Sequence, residues 1–220
     1  MANHSVKPAW LAIGLAGVLA TGLCAPASAG VLYDNLPPLG SSGGSAAVTT
    51  TDHGPLADSF STGASAVSLT DVDVLIDAST PGDGGSFTIE LLADNSMSPG
   101  AVLATIATVL DSSLTTTLTP MDYALSSPEA LAANTRYWIE LTGGATSAEW
   151  SFTATNTGTG VANEYNYYAG SVSANSAFTP YQMQVNAVPE PASWTLMVVG
   201  VLGIGSVLRL SRRRERVAVG

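Results

Sequence analysis

Hydrophobic and polar residues alternate with a period of two in several stretches of this chain. Tyr137, Ile139 and Leu141 alternate with Arg136, Trp138 and Glu140, the pattern of a strand with one buried face. Phe87, Ile89 and Leu91 do so against Ser86, Thr88 and Glu90, as do Tyr181, Met183 and Val185 against Gln182, Gln184 and Asn186. Trp150 and Phe152 form a shorter example. Between Val67 and Ile76 the apolar phase is Val67 and Leu69, then Val72, Val74 and Ile76. That slip at Thr70-Asp71 predicts a bulge or the junction of two strands. Pro81–Gly85 and Asp94–Gly100 read as hairpin loops, and Gly40–Thr51 as a flexible leader or long loop. Ala130–Asn134 is the one candidate for a helical turn. With turn clusters recurring roughly every 8 to 15 residues, the expected fold is all-β, an antiparallel β-sandwich or jelly roll.

Both ends break the alternation. Lys7 precedes an uncharged run whose apolar core is Trp10–Leu23, followed by Pro26 and then Ala27-Ser28-Ala29. This is the layout of a secretory signal helix with cleavage between Ala29 and Gly30, the competing reading being a retained signal anchor. Lipidation at Cys24 is disfavoured because Leu23, not a small residue, stands before it. At the other end Val188-Pro189-Glu190-Pro191 leads into 17 uncharged residues, Ala192–Leu208, and then Arg209, Arg212, Arg213 and Arg214. A helix of that length reaches about 26 Å, close to a hydrocarbon core of about 30 Å. The arginines act as a stop-transfer cluster and keep the tail cytoplasmic, which places the preceding region outside.

The order motif, apolar helix, arginine cluster resembles the PEP-CTERM sorting signal of Gram-negative bacteria that make extracellular polysaccharide. The resemblance implies recognition by exosortase, a membrane protease-transpeptidase, with cutting near Val188–Pro191; a plain C-terminal anchor is the alternative. The expected organisation is a signal peptide at 1–29, an exported sandwich at 30–187 and a sorting signal at 188–216. Physically the two prolines stop a helix from extending upward, leaving an extended strip that a protease can grip.

Charge sharpens this division. Of 17 acidic and 7 basic residues in the chain, fifteen acidic ones but only one base, Arg136, fall between Gly30 and Val188, about −14 for that region. A nucleic-acid partner is excluded by sign, since phosphate binding needs a cationic face. The same region lacks cysteine, so its core alone must hold it in a compartment that permits disulfides.

Four phrases of the middle region resemble the family named choice-of-anchor R: Leu32-Tyr33-Asp34-Asn35, Gly54–Phe60, Leu131–Ile139 and Tyr181–Val185. That family has no established biochemical activity, so the resemblance implies surface display and supplies no catalytic residue. Catalytic signatures in the residues themselves are thin. His53 is the only histidine of the region, without a nucleophile elbow, and reads as a solvated loop residue. Glu140, Glu149 and Glu164 lie near Trp138, Trp150 and Tyr165, a mixture that suits either a sugar groove or core aromatics beside exposed strand ends. Asn163–Tyr168 is the candidate sugar-binding loop. Asp71, Asp73 and Asp77 are hard oxygen ligands that suit calcium, while one histidine and no cysteine in the region make a zinc site implausible. The expected function is an exported, non-enzymatic cell-surface or matrix protein, handled by the Sec machinery, signal peptidase and exosortase, with extracellular polysaccharide as its partner. A secreted carbohydrate-active enzyme with a carboxylate pair is the alternative.

Overall fold

A computed structural model describes residues 30–176 and 179–190. The expected signal and transmembrane helices, with Ala27, Ala29, Pro191 and the arginine cluster, lie outside these residues. Among the described residues the chain is all-β apart from a 3₁₀ turn at Asp111–Ser113, and no helix is long and apolar enough to cross a membrane.

Two antiparallel sheets pack face to face. The first contains β1 (Gly30–Asp34), β2 (Ser42–Ala47), β4 (Val67–Ala78), β7 (Thr119–Leu131), β9 (Ala148–Thr153) and β12 (Met183–Pro189), in the order β1-β12-β4-β9-β2 with β7 also on β4. The second runs β11 (Ser171–Ala174), β10 (Tyr165–Tyr168), β3 (Leu56–Ser61), β8 (Arg136–Ala145), β5 (Ser86–Asp94), β6 (Pro99–Leu110). Strand β4 is the spine of the first sheet. Its residues Val67–Val74 pair with β12 and Ile76–Ala78 with β9, so those two strands follow one another along one edge while β7 takes the other.

The alternation seen in the sequence explains the core. Val72, Val74 and Ile76 of β4, Met183 and Val185 of β12, and Trp150 of β9 meet Phe60, Phe87, Ile89, Leu91, Ile139 and Leu141 of the second sheet. Trp150 is fully buried, stacks on Tyr181 at 4.6 Å and donates from Nε1 to the carbonyl of Gln182, so the polar end of a large apolar ring is satisfied inside. The phase slip is a bulge within one strand: both ladders of β4 shift register there, between Asn186 and Ala187 of β12 on one side and, against β7 on the other, between Leu69 and Asp71 of β4 itself.

Two sequence expectations need correcting. Gly40–Thr51 is not a loop throughout, because Ser42–Ala47 forms the edge strand β2 against β9. Its glycines serve a close approach: Gly44, at φ +144°, would place a Cβ 2.8 Å from the Phe152 ring. Pro81–Gly85 is not a hairpin loop, since it carries the chain from β4 in one sheet to β5 in the other. Asn95–Ser98 is a true hairpin turn, joining β5 to β6 with reciprocal Asn95–Ser98 backbone bonds and positive φ at Ser96 and Met97. Strand β12 itself runs to Pro189, into the expected sorting motif. Pro189 pairs with Val67 and the Glu190 N–H donates to the Ala66 carbonyl at 3.5 Å; a proline fits a strand end, where no ladder donor is required.

The chain ends of the sandwich are neighbours. Gly30 lies opposite Ala187, and Ala187 opposite Leu69, so β1 begins where β12 finishes, at the Val67 end of β4.

Candidate functional site

At the opposite end of β4 a groove of about 600 Å³ opens between the last strands of the two sheets. Asp77, near that end, pairs with Glu149, which lines the groove. Eight residue steps, about 26 Å of extended strand, separate Leu69 beside the paired chain ends from Asp77 beside the groove.

One wall comes from β2 and β9 through Ser45, Ala46 and Phe152, the other from β10 and β11 through Asn166, Tyr168, Ser171 and Ser173. Asp52 and His53 reach it from the connection between β2 and β3, and Tyr181 from the segment before β12. His53 and Tyr168 stack with centroids 4.7 Å apart and planes inclined by 13°. The backbone helps to hold this pair, because the Ala169 N–H donates to the His53 carbonyl. His53 Nδ1 lies 2.8 Å from Asp52 Oδ1, and the Ser45 hydroxyl donates to Glu149 Oε2 at 2.6 Å. Each carboxylate thus keeps an oxygen outside these contacts. The result is a half-open aromatic platform with hydroxyls, an amide and two carboxylates around it, and with neither Lys nor Arg in its lining.

Behind the groove a buried acid orders its floor. Asp58 of β3 sits at an inward position between Leu56 and Phe60 and is fully buried. Its Oδ1 accepts from the Asn175 amide at 2.9 Å, its Oδ2 from the Tyr181 N–H at 2.6 Å, and Asn175 Oδ1 in turn accepts from Asn166. Two groove residues, Asn166 and Tyr181, are therefore tied to one carboxylate. Burial pushes the Asp58 carboxyl well above the usual range despite these donors, with nearby Glu164 adding to the rise. The Tyr33 hydroxyl is likewise raised, first by burial and then by Asp58.

The residues expected from sequence to form a site scatter over the fold. Glu164 is nearly fully buried on the far side of β3, where its Oε2 accepts from Ser59 at 2.7 Å and from Arg136 Nε at 2.9 Å. Arg136 also stands over the Tyr165 ring at 4.7 Å. Trp150 and Tyr181 are core residues, while Trp138 is buried on the outer side of the second sheet with Nε1 donating to Asp94. Glu140 lies on that outer side too, directly opposite Glu90. Its carboxyl is pushed up to about 7, by burial and then by the Glu90 charge.

Of the calcium candidates, Asp71 and Asp73 share the outer face of β4, and Asp77 stands beyond Leu75. The Asn186 amide lies between the first two, donating to Asp71 at 2.5 Å and Asp73 at 3.3 Å. Asp77 instead faces Glu149, and its carboxyl is raised by burial and then by that charge. Among the described residues no three His, Cys, Asp or Glu side chains are grouped to hold a metal ion.

Sequence reasoning found Tyr168, Asn166 and Glu149 but missed His53 and Asp52 as their neighbours, because only the fold brings the β2–β3 connection against β10. Asp58 carried one legible signal, a charge in the apolar phase of Leu56-Asp58-Phe60. Compared with known proteins, the chain matches no family model and no curated relative.

Proposed function

We propose that this chain is an exported surface or matrix protein that grips extracellular polysaccharide and performs no catalysis. Signal peptidase would release it before Gly30, and exosortase would act at Val188–Pro191 after Sec export. The observation that carries the adhesive reading is the groove. Its His53–Tyr168 stack offers a flat apolar surface to a sugar ring, and its hydroxyls, amide and carboxylates offer hydrogen-bond partners to ring substituents. The groove also lies at the pole away from the paired chain ends, where a tethered protein would present it outward.

The test is cosedimentation of the full-length protein with the producer's own polysaccharide. Binding that Tyr168→Ala reduces at least about tenfold, with no sugar released, is the expected result. Retention unaffected by Tyr168→Ala would remove the groove from the account. Intact-mass analysis from the native host addresses sorting: the expected mature species begins at Gly30 and lacks Trp194–Leu208.

One observation favours the enzymatic alternative. The Glu90–Glu140 pair sets two carboxylates face to face, and Glu140 is raised to about 7, the range of a general acid at neutral pH. Reducing ends released by wild type but not by Glu140→Gln would decide for it.

A further inference from the structure

Resting on the saccharide reading of the groove, we infer that the site selects by charge, accepting sugars that carry free amines or no charge and rejecting uronate, sulfated or phosphorylated glycans. Three observations point the same way. Asp52 and Glu149 line the groove and no Lys or Arg does. Asp77 lies across the ladder from Glu149, so a further acidic side chain stands beside the lining. Arg136, the one base between Gly30 and Glu190, is held by Glu164, the Asn163 carbonyl and the Tyr165 ring, and does not line the groove.

An anionic sugar would bring its charge into a half-enclosed site of the same sign, where screening is weaker than in open water. A protonated amine meets the opposite situation. Glu149 Oε2 is taken by Ser45 and Asp52 Oδ1 by His53, leaving Oε1 and Oδ2 as acceptors for an ammonium group. A charge-assisted bond of that kind is stronger than a neutral one and adds to whatever the aromatic platform contributes. Tyr168 supplies stacking without charge while Asp52 and Glu149 supply the charge, so stacking and selection reside in different residues.

That separation gives the experiment. Full-length protein in detergent is titrated calorimetrically at neutral pH with three pentasaccharides: β-1,4-linked glucosamine, its N-acetylated counterpart, and α-1,4-linked galacturonate. The expected order is glucosamine about tenfold tighter than the acetylated form and galacturonate weakest, with the first gap narrowing as salt is added. In Asp52→Asn/Glu149→Gln the ratio of glucosamine to acetylated affinity should shrink to within about threefold, whatever affinity the two pentamers lose in common. Galacturonate binding as tightly as glucosamine, or an advantage that survives in the double variant, overturns charge selection but leaves saccharide binding standing. If none of the three binds, both the selection and the reading beneath it fall.

Discussion

Glu140 and Glu90 face one another across β8 and β5, while Arg136, the one base of the described chain, is engaged with Glu164. Raised to about 7 by burial and by Glu90, Glu140 binds its proton more tightly in the folded chain than in the unfolded one. Its contribution to stability is therefore full below the unfolded pKa and is lost as pH rises through the folded value near 7. Glu140→Gln should remove that decline and leave the protein more stable by about 1 kcal/mol above neutrality, a figure reduced for the partial exposure of the side chain. Urea titrations at about pH 5 and about pH 8 measure it; an identical gain at both would assign the effect to packing instead of ionisation. Asp58 acts in the same sense, since its folded-state pKa is also raised, so its share of stability too is lost as pH rises. Neither direction was legible in the sequence. Glu140 reads there as an ordinary outward residue of an alternating strand, and only the pairing of β5 with β8 places a second carboxylate opposite it.

The hairpin between β5 and β6 turns on Ser96 and Met97, both at positive φ. Such a two-residue turn suits Asn-Gly, because glycine adopts that backbone without strain and asparagine tolerates it. Ser96→Asn/Met97→Gly should stabilise the protein by about 0.5–1 kcal/mol, raising the melting temperature by roughly 1–4 °C. A lower melting temperature would mean that the exposed Met97 side chain packs more usefully than its backbone costs. The strands most legible beforehand, β5, β8, β9 and β12, have large apolar residues on one face and polar ones on the other. The two long outer strands were not legible. In β6, Ala, Thr and Val mix on both faces because much of the strand is exposed, and β7 carries Pro120 and Pro128 along an edge that needs few donors. The edge strand β2 is Ser, Gly and Ala only, a composition indistinguishable from a linker until Phe152 is seen lying over Gly44. The groove shares this history: its aromatic residues were visible, but the juxtaposition of His53 with Tyr168 depends on long-range strand order.

At the scale of the whole molecule the first strand covers the edge of the last. Tyr33 of β1 is fully buried, and the following Asn35 fastens the segment inside, donating to the Tyr181 carbonyl and accepting from the Met183 N–H. Removing Gly30–Asp34 should cost about 3–5 kcal/mol, chiefly from the loss of a buried aromatic, and should leave β12 as an open edge prone to pairing between molecules. Thermal melting with light scattering would report both; an unchanged melting temperature would show that β1 is dispensable. The adjacency of Gly30 and Ala187 also decides how the domain bears force. Drawing the two chain ends apart opens the β1–β12 ladder from its tip, bond after bond, as a zipper parts. A load that enters at the groove and leaves through Pro189 instead runs lengthwise along β4 and β12, whose cross-strand bonds stand perpendicular to the pull and share it at once. The same sandwich is thus weak when its first and last strands are drawn apart and strong when loaded lengthwise along β4 and β12.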